Sequence, residues 1–270
     1  MRNIFILLTI ITWLISISNK NLLAQDKSEN IPISKFYINI SIPYSYMSSS
    51  EFDGIQFRTT ETKGNIDGFI FLPFFDPGIG YEISIGGKTK YSKDNDSPIF
   101  KATSAEISYI HTTHKAFWNP INGITAENPL LEFNSSFSSL DLTTKFYLSD
   151  EPFMFYLLFG FQLTSSLTIE NGSYLVVNNK PTNYGNVTFH GGLFHSGIWN
   201  IRGGLGATIY IIKNFMIDFT YSSRNLCFDS FEGIMGERDT QDPTTKATGG
   251  LFGSMYITYT VLQFGLTVTF

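Results

Sequence analysis

The sequence predicts an all-β protein: a transmembrane antiparallel up-and-down β-barrel of eight strands, with ten as the alternative, carrying long extracellular loops and short periplasmic turns. Three observations predict it. The last segment, 256–270, alternates at a period of two. Leu262, Phe264, Leu266, Val268 and Phe270 share one face, and Val261, Gln263, Gly265, Thr267 and Thr269 share the other. Exposed to water, such a terminal strand would invite aggregation; facing lipid, it closes a barrel. Second, the connections between alternating segments are short and long in strict succession. Third, aromatic residues make up 16% of the 270 residues and charged ones only 15%, where a soluble domain carries about a quarter charged. Beyond residue 24 there is no run of eighteen apolar residues that a spanning helix would need.

The N-terminus reads as a secretory signal peptide over 1–24. Arg2 supplies the positive start, 4–17 is an apolar stretch, and Leu22-Leu23-Ala24 precedes Gln25 as a cleavage site. Residues 25–33 are then a periplasmic segment and 34–270 the barrel. Past residue 24 there remain 16 Lys/Arg against 23 Asp/Glu, a formal charge of −7. That balance argues against a nucleic-acid partner, which needs a basic stripe to neutralise phosphate. Cys227 is the single cysteine, so neither an intrachain disulfide nor a cysteine metal site is expected.

The first segment is 35–46, with Phe36, Ile38, Ile40, Ile42 and Tyr44 opposing Tyr37, Asn39, Ser41, Pro43 and Ser45. The second, 79–90, sets Ile79, Tyr81, Ile83 and Ile85 against Gly80, Glu82, Ser84 and Gly86. The third, 102–114, opposes Ala105, Ile107 and Tyr109 to Glu106, Ser108 and an apolar exception, Ile110. The fourth and fifth, 137–148 and 153–167, form a hairpin over Ser149-Asp150-Glu151-Pro152, good tight-turn chemistry. In the fifth, Phe153, Phe155, Leu157, Phe159, Phe161 and Leu163 are expected on the outer face. The sixth and seventh, 200–211 and 215–225, join through 212–214. Short connections at 91–101, 149–152 and 212–214 alternate with long ones at 47–78, 115–136, 168–199 and 226–255, which places both chain ends on the periplasmic side. Within 47–78, the stretches 54–60 and 68–75 are read as a rim hairpin, because the first is short and Pro73 interrupts the second. A similar hairpin is expected in 168–199.

The polar faces collect Glu82, Lys88, Glu106, Asp141, Lys145, Gln162, Arg202, Asp218, Arg224 and Gln263, of mixed sign and on nearly every strand. An eight-stranded barrel holds little besides its own side chains. A structural network of ion pairs filling the lumen is therefore expected, with glycines making room for Tyr147, Tyr156 and Tyr210. Phe264, Leu266, Val268 and Phe270 are read as the assembly signal. No catalytic, metal or cofactor site is expected: the chain has no GxSxG, no HExxH and no phosphate-cradling glycine loop. His114, inward at the outer end of the third strand, is the one histidine placed near serines (Ser135, Ser136, Ser138) that would suit a rim-located lipid hydrolase.

Leu140-Asp141-Leu142-Thr143-Thr144-Lys145-Phe146-Tyr147-Leu148, followed after a turn by Phe155-Tyr156-Leu157-Leu158-Phe159-Gly160, resembles small outer-membrane barrels of the PorT-like type common in Bacteroidota. Gly203–Ala207, Phe215–Ser222 and the terminal Phe270 extend the likeness over roughly 102–270. Asp218-Phe219-Thr220-Tyr221 departs from it, since relatives often carry Arg before that Tyr. The resemblance implies a location in the bacterial outer membrane and a structural, interaction or secretion-accessory role. Expected partners are outer-membrane lipid, the barrel assembly machinery and a secretion-system or surface protein, with the barrel itself a monomer. The alternative is a narrow porin-like passage.

Overall fold

A computed structural model describes residues 34–49, 55–61, 64–70, 74–90, 99–118, 131–170, 173–177, 180–184, 187–194, 200–212, 214–234 and 246–270. The signal-peptide and periplasmic-segment expectations, over 1–24 and 25–33, lie outside them. Fourteen strands are described: β1 (Ser34–Ser49), β2 (Ile55–Glu61), β3 (Gly64–Ile70), β4 (Phe74–Phe75), β5 (Gly78–Lys90), β6 (Ala102–Trp118), β7 (Leu131–Tyr147), β8 (Phe153–Ile169), β9 (Ser173–Val177), β10 (Lys180–Tyr184), β11 (Val187–Gly191), β12 (Ile201–Ile212), β13 (Phe215–Ile234) and β14 (Lys246–Thr269).

Eight of them form a closed antiparallel ring, β1-β5-β6-β7-β8-β12-β13-β14, sealed by β14 pairing with β1 from Tyr37↔Thr269 to Ser49↔Ile257. Following register partners from Phe36 through Gly87, Ala105, Thr144, Phe159, Gly203, Ser223 and Thr260 returns to β1 at Tyr46, ten residues above the start. That stagger tilts the strands and fixes the diameter of a narrow barrel. The wall strands are those expected. The expected stretches 54–60 and 68–75 add no further pair of spanning strands to the ring; their described end, β4, pairs with β6 as an outward continuation of the β5 ladder. Instead β2 and β3 pair as a hairpin whose first strand docks on the outer end of β14, and the β9–β10 hairpin joins β3 at the rim.

Several strands run further outward than their alternation predicts. β6 continues to 118, β7 begins at 131, β13 reaches 234 and β14 begins at 246. The reason is an inversion of pattern along each strand. In the lower storey Phe36, Ile40, Ile85, Ile107, Phe155, Leu157, Phe219, Phe264 and Leu266 face outward and are exposed. Tyr44, Tyr81, Tyr109 and Tyr221 ring this band on the outer side, while Phe36, Phe153, Phe215 and Phe270 mark the periplasmic edge, the girdles of a lipid-facing wall. Above the tyrosines the outward residues turn polar (Thr113, Lys115, Asn134, Thr258). Many of the inward ones there turn apolar: Met47, Ile110, Phe137, Leu167, Ile169, Phe189, Leu226, Phe228 and Ile257 are all buried, with Ser45, Thr112, His114 and Ser135 sharing that face. The upper storey is thus packed like a water-soluble sheet protein and stands clear of the membrane.

Two irregularities shape the wall. Between Leu140 and Asp141 the β7–β8 register slips, so Leu163 is an extra residue and turns inward. That overturns its expected outward position and puts Thr164 outside. β11 and β12 share one slot between β8 and β13, and the chain turns as β11 ends. Gly192 turns it with φ of 107°, where a Cβ would meet Thr164 and Leu163. The ladder groups this exposes are still satisfied: Leu193 and Phe194 donate to the Gln162 and Leu163 carbonyls, the Asn200 carbonyl accepts from Gln162 N–H, and Asn200 Oδ1 accepts from Cys227 N–H.

Candidate functional site: the barrel interior and its outer rim

The two-residue period drops one side chain from each wall strand into the lumen at each level, and sequence decides which level is charged. All ten residues expected inside are buried. The middle level is a four-membered ion cluster. Arg202 Nη1 lies 3.1 Å from Glu82 Oε1 and 3.3 Å from Asp141 Oδ2. Arg224 reaches the same two carboxylates, Nη2 at 3.2 Å from Glu82 Oε2 and Nε at 3.0 Å from Asp141 Oδ2. Gln263 stitches the group to β1, accepting from Arg202 Nη2 at 2.8 Å and donating to Glu82 Oε2 at 2.7 Å and to Ser41 Oγ at 3.3 Å. Arg224 also sits over the Tyr259 ring, 5.4 Å from its centroid.

Below it, Lys145 bridges Glu106 and Asp218 at 3.2 Å each. Tyr37 donates to Glu106 at 2.8 Å; Tyr156 and Thr208 donate to Asp218 at 2.9 and 2.8 Å. A Cβ on Gly206 would collide with the Tyr156 ring, so this glycine makes the room that the tyrosine needs. Tyr147 and Tyr210 are not seated on glycines in this way; Tyr37, at Gly86, is. Lys88 stands apart from both clusters, its Nζ 4.6 Å from the centre of the Tyr147 ring, 2.8 Å from Met154 Sδ and 4.0 Å from Glu151. Gln162 also stands apart: it lies at the register slip, and neither of its amide atoms meets a protein partner. Among the described residues the buried acids (Glu82, Glu106, Asp141, Asp218) and buried bases (Lys88, Lys145, Arg202, Arg224) are four and four, so their formal charges cancel. A void of about 10 Å³ between Lys145, Tyr147, Thr208 and Asp218 has the room of one water. At the periplasmic mouth partial burial draws the Glu151 carboxyl up. The Lys90 ammonium, 2.7 Å away, outweighs that and holds it below the usual carboxylate value.

At the outer end His114 is buried on the inner face. Its ring does not engage Ser135, Ser136 or Ser138. Nδ1 lies 3.0 Å from the Asp76 carbonyl, and Nε2 lies 3.3 Å from Ser45 Oγ and 3.1 Å from Thr112 Oγ1. Gly78 leaves space for the ring. Ser135 instead donates to the His114 carbonyl, and Ser138 contacts His111 Nδ1 at 2.9 Å on the outer face. Ser45 is fully buried, and among the described residues no carboxylate pairs with either ring. The nucleophile, base and orienter of a hydrolase are not assembled around them. The sequence reading missed the inward apolar residues of the upper storey; Ile110, singled out as an exception, was their visible sign. Phe264, Leu266, Val268 and Phe270 lie on the outer face of β14 and its end.

Fold and interior together define an integral membrane β-barrel, closed on itself and filled by its own side chains. No protein-family model matches the chain, and no curated protein sequence does. Among solved structures it is similar to Neisserial surface protein A, at 12% identity over 87% of this chain and 97% of that one with a TM-score of 0.41. It is also similar to the outer membrane protein OprG from Pseudomonas aeruginosa, at 11% identity over 87% and 96% with a TM-score of 0.44. A third is Ail, the attachment invasion locus protein of Yersinia pestis, at 11% identity over 88% and 99% with a TM-score of 0.38. At such likeness the functional reading rests on this chain's own residues.

Proposed function

We propose that the chain is a non-enzymatic, non-conducting barrel of the bacterial outer membrane. In this reading it carries a rigid β-platform on the outer surface as a structural, interaction or secretion-accessory protein. The observation that carries the reading is the double closure of the lumen. The ion clusters, whose charges together with Lys88 cancel, occupy the membrane level, and the apolar side chains of Met47, Phe137, Leu167, Phe189 and Phe228 lie in the barrel above it. A pore needs a continuous wet path, and a packed apolar layer opposes one. What remains for function is the outside: the long β13–β14 ribbon and the β2–β3 and β9–β10 hairpins docked beside it. The PorT-like resemblance of β7–β8 makes a secretion-system or surface protein the partner of choice, with the barrel assembly machinery reading the strand that ends at Phe270. A photo-crosslinking side chain at Thr258, on the outer storey, or at Asp150, in a periplasmic turn, tests this in native membranes. A discrete protein adduct from one end, lost when that end is altered, supports the reading. No protein adduct from either end, together with solute uptake that depends on the barrel, contradicts it.

A further inference from the structure

The inner wall holds a group of buried polar atoms that the two ion clusters leave without a protein partner: both amide atoms of Gln162, the Thr143 hydroxyl and Arg202 Nε. Register brings them together. Glu106, Thr143, Gly160 and Arg202 are direct cross-strand neighbours in one inward row over β6, β7, β8 and β12. Gln162 is the next inward residue of β8 above Gly160. Gly160 contributes no side chain to the row, and a Cβ there would stand 2.9 Å from Thr143 Oγ1. The wall is therefore bare between the Thr143 hydroxyl and the Arg202 guanidinium, with the Gln162 amide above it.

The surrounding bonds explain why these atoms are left over. Arg202 turns Nη1 and Nη2 to Glu82, Ser108, Asp141 and Gln263. Asp141, the cross-strand partner of Gln162, is taken by both guanidiniums and by Ser139. The Lys145 level ends at Glu106, where Tyr37 and Lys145 both meet Oε2. Buried polar groups in folded proteins are nearly always paired, because an unmade bond keeps the full desolvation cost. The donor and acceptor inventory selects the partner. Arg202 Nε–H and the Gln162 nitrogen only donate, Gln162 Oε1 only accepts, and the hydroxyl does either. The eight buried charges already cancel, so the partner is neutral, small and able both to give and to take hydrogen bonds. Water has those properties.

We infer that a small cluster of ordered water is bound over Gly160. It accepts from Arg202 Nε–H and Gln162 Nε2, donates to Gln162 Oε1, and shares a hydrogen with the Thr143 hydroxyl. Thr143 stands beside Glu106 in the row, so this water joins the Lys145 level to the Arg202 level and makes the interior one network. The site goes beyond the closed-platform reading and does not depend on what the outer surface binds.

The test is water-to-protein cross-relaxation NMR of the full chain, nitrogen-labelled and folded in detergent, with heat-modifiable migration as the check of folding. The Gln162 side-chain amide and Arg202 Nε–H are expected to show cross-peaks to water of the sign that marks a bound molecule. Neither signal should move when chloride in the buffer is replaced by sulfate. Gln162→Met, similar in shape but without the amide, is expected to weaken the Arg202 cross-peak. It should also lower the urea midpoint, because the water loses two of its bonds. Thr143→Val should weaken the same cross-peak, whereas Thr144→Val, one residue along β7 and on its other face, should leave it intact. Absence of both cross-peaks in the unaltered chain would overturn the site, whatever the variants do. A raised midpoint for Gln162→Met would reveal an amide that was simply unpartnered, and would overturn it as well. Signals that move with chloride would assign the niche to an anion and overturn the choice of water.

Discussion

Asp141 takes both guanidiniums through one oxygen, Oδ2, and the Ser139 hydroxyl through the other. Such a residue cannot be removed quietly, because among the described residues Asp141 and Glu82 are the two carboxylates that pair with each Arg. Asp141→Asn should lower unfolding stability in bilayers by about 3–5 kcal/mol, the cost of breaking a buried pair from one side. A urea midpoint unchanged from wild type would show that water takes the missing place. Glu151 offers a pH test of small size. Its folded carboxyl is held down, so it contributes stability above the unfolded-state value near pH 4, and that contribution is lost as pH falls through the lower folded value. Glu151→Gln should therefore flatten the stability curve on that acid side and leave it unchanged in shape above pH 6. At this scale the charged residues of the lumen were legible from alternation, because only inward positions tolerate them. Their partners were not. Which guanidinium meets which carboxylate depends on the ten-residue stagger, and a strand read alone carries no trace of it.

β14 shows what an element adds. Its outward residues are Leu262, Phe264 and Leu266 in the band, then Thr260 and Thr258 above it. Leu266→Arg should cost about 2–4 kcal/mol and Thr258→Arg close to nothing, following the depth dependence of charge on a lipid face. Equal costs, read from refolding in bilayers, would refute the two-storey wall. Removing Phe270 should slow assembly in cells by deleting the end of the assembly signal. Undiminished barrel formation in cells would show that the signal lies elsewhere. The eight wall strands were readable because lipid demands an unbroken outward apolar set. Their upper ends were not, since the same alternation reverses sense at Thr113, Asn134 and Thr258. A search for one apolar face stops there and assigns the remainder to loops. Leu163 was misplaced for a related reason: a single register slip moves a residue across the wall without altering composition.

The molecule as a whole separates three environments along one axis. Lipid meets the apolar outer wall, a neutral polar network fills the membrane level, and an apolar plug fills the storey above. Among the described residues the eight buried charges cancel. In the proposed function the barrel is a support, and its sequence shows the barrel more plainly than any surface it carries, because lipid and burial constrain many residues while a partner constrains few. The central claim is that the lumen is closed. Single-channel recording of the purified chain in planar bilayers tests it most directly. The account predicts a silent baseline under applied voltage once insertion has been verified by heat-modifiable migration; stable, reproducible open-channel steps would contradict it.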